Sequence, residues 1–227
     1  MILALVHSPL TGPLVCDPAQ AELARRGVRA TIPEVADHPS GTGAYFEQHA
    51  RSVARSLRGL DDVVLVAHSG AGQLLPAVRE ALGRDVGGYL FVDAAIPEDG
   101  LSRLEQIRRE DPAAGAEFER HLRAGGRFPD WTDDDLRRVI PNDGLRRGVH
   151  EELRPRPLEF FVEPIRVFEG WPDAPCGYLR LSAAYDPALA RANTLAWPTR
   201  SLDAGHFHLL VEPQATVEAI LDLLQEM

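Results

Sequence analysis

The chain has 227 residues, 44% of them apolar, and carries 34 acidic against 24 basic side chains for a formal net charge of -10. That length buries the core of one domain, and so acidic a surface repels nucleic acid and anionic lipid, which excludes both as expected partners. Every basic residue is an arginine, so Schiff-base lysines, phosphate-gripping P-loop lysines and serine-lysine dyads are excluded as well.

The first element is the apolar run Met1-Ile2-Leu3-Ala4-Leu5-Val6-His7. No basic region precedes it, no small-residue cleavage site follows, and it is too short to span a bilayer, so it reads as a strand rather than a signal or an anchor. Cys16 and Cys176 show no metal or redox spacing, which predicts free thiols in a cytoplasmic protein. Further strands are expected at about 28–33, 62–68, 86–92, 177–183 and 199–203. Helices are expected over about 19–26, 45–57, 70–82 and 213–225. Alternating strands and helices predict an α/β fold class, a mainly parallel sheet with helices on both faces, which binds its ligand at the C-terminal strand ends. His38, His49, His121 and His150 lack partners at metal-ligand spacing and no nucleotide or flavin motif is present, so no metal and no cofactor are expected.

The third strand runs directly into His68-Ser69-Gly70-Ala71-Gly72. A serine on a sharp strand-to-helix turn needs very small neighbours two positions to either side, because larger side chains collide in the strained backbone that lifts its hydroxyl off the sheet. Ala67 and Ala71 meet that limit, although the usual pattern has glycines there. On the motif alone, an ordinary glycine-rich turn is the alternative. The order along the chain adds weight to the first reading. Gly177 to Ala184 reads as a strand that ends at Tyr185-Asp186-Pro187, and Thr199 to Asp203 as another that opens into Ala204-Gly205-His206-Phe207-His208.

With a serine, then an acid, then a histidine at successive strand tips, the chain resembles the α/β-hydrolase superfamily over nearly its whole length. It looks closest to small actinobacterial-type members with a His-Ser-Pro-Leu opening and a Gly-His-Phe-His ending. The resemblance implies Ser69 as nucleophile, His206 as general base and Asp186 as the residue that orients it. His206 is preferred to His208 because the family's histidine usually follows a glycine after the last strand. Asp93, in Phe91-Val92-Asp93, is the competing acid, because some relatives place it after that strand instead; Asp186 is preferred for its commoner Tyr-Asp-Pro location. His68 is expected to pack behind the turn.

A single domain over 1–227 is expected, and the resemblance implies that 97–172, which interrupts the strand-helix rhythm, is an inserted helical lid that sets specificity. Seven of the fifteen aromatic residues fall there, among them Phe128, Trp131, Phe160 and Phe161. Such clustering suits an apolar pocket roof, which with Pro9, His68 and His208 is the expected substrate pocket. An oxyanion needs two donors, and Gly70 N–H supplies the first. Where relatives carry His-Gly and then a donor residue, this chain has His7-Ser8-Pro9, and proline has no N–H. If Pro9 occupies the donor position, Leu10 N–H or the Ser8 hydroxyl substitutes, or the site has one donor only. The expected function is a serine hydrolase acting through an acyl-enzyme on a small hydrophobic ester, lactone or thioester. The alternatives are a lyase or cyclase using serine/histidine acid-base chemistry, in a setting such as natural-product biosynthesis, and a ligand-binding member without turnover.

Overall fold

The computed structural model describes residues 1–41 and 43–227. β1 (Ile2–Val6), β2 (Ala30–Thr31), β3 (Val63–Ser69), β4 (Gly88–Ala94), β5 (Cys176–Arg180) and β6 (Thr199–Ser201) form one sheet in the order β2-β1-β3-β4-β5-β6. Every pairing is parallel. The four central strands are almost wholly buried, as near-continuous apolar runs must be when helices cover both faces. The edge strands are short and partly exposed.

Around the sheet lie α1 (Asp17–Arg25), α2 (Tyr45–Ser56) and α3 (Leu75–Leu82). After β4 the chain leaves the sheet for α4 (Arg103–Glu110), α5 (Pro112–Arg123), α6 (Asp133–Arg137), α7 (Asp143–Glu152) and α8 (Leu158–Val162), and returns at β5. It closes with α9 (Asp186–Thr194), α10 (His208–Val211) and α11 (Pro213–Glu226). Local chemistry explains several of these starts. Thr132 and Asp135 form a reciprocal capping box, so the acidic run 133–135 opens α6, and the Asp111 carboxylate caps α5 by accepting from the Ala113 and Ala114 amides.

The strand period of two divides the core. Ala4, Val6, Leu65, Ala67 and Phe91 face one way with Phe46 and Val53 of α2 and Val78 of α3. Leu3, Leu5, Val64, Val66 and Leu90 face the other with Leu23 of α1 and Ile220 and Leu223 of α11. A third cluster, Leu10, Leu104, Leu122, Phe160 and Phe161, lies under the helices between β4 and β5.

The helix expected over 70–82 begins instead as a 3-10 turn, Gly70–Leu74, before α3 takes over. Gly72 shows how closely this turn approaches β4, since a Cβ there would collide with the Ala95 carbonyl oxygen. Among the described residues no helix is long and apolar enough to cross a membrane.

Candidate active site

β3 ends on Ser69, whose backbone sits at φ 61° and ψ -131°. A non-glycine residue holds such a conformation only where its surroundings enforce it. Here Ala67 and Ala71 are fully buried on either side and the Ser69 carbonyl accepts from the Ala95 amide at 3.2 Å.

The neighbouring strand is irregular at the same level. His68 pairs with Val92 and Ser69 with Ala94, which leaves Asp93 as an extra residue, at φ 44°. A bulge of this kind re-aims a side chain out of the ladder. The Asp93 carboxylate is fully buried. Its Oδ1 accepts from the Leu181 and Ser182 amides at 2.8 and 2.9 Å, and its Oδ2 from the Ser182 hydroxyl at 2.6 Å and His206 Nδ1 at 2.8 Å. Burial opposes its charge, but the hydrogen bonds from His206 and Ser182, with the positive charge that His206 can carry, outweigh it and hold the pKa below the usual carboxylate range.

A carboxylate accepts only, so His206 Nδ1 is the donor in this contact, and in the neutral ring that tautomer leaves Nε2 as the acceptor. The imidazole lies between two rings, Tyr185 at 5.2 Å and 7° and His68 at 4.6 Å and 27°. The Tyr185 hydroxyl is 3.3 Å from Ser69 Oγ, so a single side chain touches both the serine and the histidine. His68 donates from Nε2 to the His206 carbonyl at 2.9 Å. Burial, then the proximity of His206, pushes its pKa down to about 3, which keeps it a neutral packing partner.

Asp186, expected to orient His206, does not reach it. The 3-10 turn Ala183–Tyr185 lays Tyr185 over the site, while Asp186 opens α9 with its side chain 56% exposed and paired with Arg180 at 2.8 Å. The Leu10 amide is likewise committed elsewhere, donating to Ser8 Oγ at 3.2 Å.

Serine, histidine and Gly70 meet at a cavity of about 610 Å³. Ser8, Leu10 and His68 also line it, and Phe118, Phe128, Trp131, Leu136, Val139 and Phe161 supply apolar wall. Phe128 meets Trp131 edge-on at 5.5 Å, and Trp131 meets Phe207 the same way at 5.9 Å.

Three residues expected in the pocket lie outside its lining. Pro9 turns its carbonyl to Arg156, which donates from Nε at 3.3 Å and Nη2 at 3.2 Å. Phe160 is fully buried, edge-on to Tyr45 at 5.3 Å and 4.2 Å from the Arg103 guanidinium. His208 is half-buried at the start of α10.

Tyr185, Ser182 and Arg156 went unassigned from the sequence. Tyr185 carried a signal, an aromatic residue at a strand tip beside a candidate acid, whereas Ser182 and Arg156 act through contacts made only by the folded chain. Among the described residues no group of three or more His, Cys, Asp or Glu side chains is placed to hold a metal.

Comparison with known proteins follows the same outline. The model of an alpha/beta hydrolase family matches residues 4–219. A carbendazim hydrolyzing esterase from Nocardioides sp. (strain SG-4G) is 29% identical over 122 residues, 50% of this chain and 50% of that one, so the match spans about half of the relative. Among solved structures, an extracellular alpha/beta-hydrolase from a Paenibacillus species, described as homologous to tobacco salicylic acid binding protein 2, superposes with a TM-score of 0.79 at 20% identity over 98% of each chain. A pyrethroid hydrolase from Sphingobium faniae JZ-2 superposes with a TM-score of 0.74 at 20% identity, over 99% of this chain and 97% of its own.

Proposed function

The chain belongs to the alpha/beta hydrolase family, and from that premise we propose that it is a serine hydrolase acting on a small hydrophobic ester, lactone or thioester through Ser69, His206 and Asp93. The observation that carries this reading is the Asp93–His206 hydrogen bond of 2.8 Å, which leaves His206 Nε2 free as a base beside a serine held in a strained turn. The names of the relatives, esterase and hydrolase, point the same way.

In this reading Ser69 Oγ attacks the carbonyl carbon while His206 Nε2 takes the hydroxyl proton, and the carbonyl electron pair moves onto oxygen. The Gly70 amide faces the resulting oxyanion. When the intermediate collapses, His206 returns the proton to the departing alkoxide or thiolate, and Ser69 keeps the acyl group. Water then attacks the acyl-enzyme, giving a proton to His206, and the imidazolium passes it to Ser69 Oγ as the acid departs. Buried Asp93 stabilises the imidazolium in both halves and holds the ring in the productive tautomer. The aromatic wall supports an apolar substrate, since sites of this size are lined mainly by such side chains.

The test is intact mass after treatment with a fluorophosphonate probe. A single adduct on the wild type and none on Ser69→Ala is expected; folded wild-type protein that takes up no probe would sink the acyl-transfer reading. The missing amide at Pro9 favours a second reading, in which serine and histidine act as an acid-base pair for elimination or ring closure. Ser69→Ala would then retain measurable turnover.

A further inference from the structure

We propose that the Ser8 side-chain hydroxyl is the second oxyanion donor of this enzyme, replacing the backbone amide that Pro9 lacks. The inference rests on the acyl-transfer reading above and concerns how the same site stabilises charge.

The loop after β1 closes as a tight turn in which the Thr11 amide donates to the Ser8 carbonyl at 3.1 Å, with Pro9 and Leu10 between them. Buried His7 also donates from Nδ1 to the Ser8 carbonyl, at 3.0 Å. Burial holds the His7 pKa at about 4, so this contact is that of a neutral ring. Arg156, itself paired with Asp37 at 2.6 Å, grips the Pro9 carbonyl, and the Arg154 amide donates to the Leu10 carbonyl at 2.9 Å. All three carbonyls of Ser8, Pro9 and Leu10 are therefore held, which opposes any rotation of the turn that would bring a main-chain donor toward the serine. Of the two amides it retains nearby, Thr11 is spent on the Ser8 carbonyl and Leu10 on Ser8 Oγ at 3.2 Å.

That last bond orients the hydroxyl. By accepting from Leu10, Ser8 Oγ has one lone pair occupied and its own proton left to donate. Ser8 is almost entirely buried yet lines the catalytic cavity, and its Oγ lies 3.2 Å from where a Cβ on Gly70 would stand. It therefore flanks the residue whose amide is the first donor. A hydroxyl fixed in this way meets the requirement for an oxyanion donor, a dipole aimed in advance at the place where charge develops. Thr11 also lines the cavity, and Tyr185 brings a hydroxyl close to the serine. It contacts Ser69 Oγ and stacks on His206, which puts it on the proton-transfer side.

The test is steady-state hydrolysis of p-nitrophenyl butyrate by wild type, Ser8→Ala, Tyr185→Phe and the double variant Ser8→Ala/Pro9→Ala, with Ser69→Ala as the blank. Loss of one oxyanion donor lowers kcat by about 10²–10³-fold, so Ser8→Ala is expected to fall by that factor with little change in KM. The double variant regains a main-chain N–H at position 9 and is expected to recover at least about tenfold, a rescue that a merely structural Ser8 would not give. Circular dichroism checks folding, and Ser8→Gly serves if the alanine variant does not fold. Wild-type rates from folded Ser8→Ala or Ser8→Gly, with Ser69→Ala inactive, would overturn the Ser8 assignment and leave the acyl-enzyme standing. So would a full loss confined to Tyr185→Phe. A wild type no more active than Ser69→Ala, and unlabelled by the fluorophosphonate probe, would overturn both.

Discussion

Two neighbouring strand tips in this molecule end in aspartates with opposite fates. At the tip of β4, Asp93 is fully buried, stands in a bulge at positive φ and accepts four hydrogen bonds. Just beyond β5, Asp186 is mostly exposed at a helix start and pairs with one arginine. Both positions offer a carboxylate near the C-terminal edge of the sheet. What separates them is compensation: removing a carboxylate from water costs several kcal/mol unless hydrogen bonds replace its hydration. The Leu181 and Ser182 amides and the Ser182 hydroxyl supply that replacement at β4.

Removing the charge at each tip is the strongest way to break the comparison. Asp93→Asn keeps the shape but no longer fixes the histidine tautomer, and kcat for ester hydrolysis is expected to fall about 10⁴-fold. A loss under tenfold would mean that Asp93 does not govern His206. The same variant sharpens the thermodynamic side. Because the Asp93 pKa is lowered on folding, its contribution to stability is fully present above the unfolded value of about 3.9 and is lost as pH falls through the lower folded value. Urea titrations from pH 7 down to pH 3 should therefore show the stability gap between wild type and Asp93→Asn narrowing at the acid end; a gap that widened would contradict the shift.

Ser182→Ala probes the compensation itself. Losing a hydroxyl donor to a charged, buried acceptor is expected to cost about 1.5–3 kcal/mol in chemical denaturation. A change below about 0.5 kcal/mol would show that water replaces the hydroxyl without cost. The smallest effect belongs to the other tip. Asp186→Asn should alter stability by less than about 1 kcal/mol, as exposed ion pairs do, and leave kcat within about twofold. A large drop in kcat would return Asp186 to the catalytic role expected of it from the sequence.

The sheet was legible because its central strands are buried on both faces, so Leu3 to Val6 and Val63 to Ala67 had to be continuous apolar runs. Ser69 was legible for a related reason: small residues around a strand-end serine are a local signal, and the local backbone uses them. The choice of acid was not. Whether Asp93 or Asp186 reaches His206 depends on one extra residue in β4 relative to β3, a property of pairing between strands that neither segment carries alone. Phe160 and Phe161 illustrate the same limit at the pocket wall. They are adjacent on a short helix, so one faces the cavity while the other is sandwiched against Tyr45 and Arg103, and composition cannot say which.

Arg154 and Arg156 give the segment between β4 and β5 a second attachment. Both belong to the part of the chain that walls the pocket, yet they clasp the turn that follows β1. The choice of substrate and the machinery that acts on it are thus mechanically joined, and this scaffold is not modular. Grafting a foreign roof between β4 and β5 would release the Pro9 and Leu10 carbonyls along with the old aromatic wall, so laboratory evolution toward new substrates has more room in single replacements at Phe128, Trp131 or Phe161 than in exchange of the whole segment.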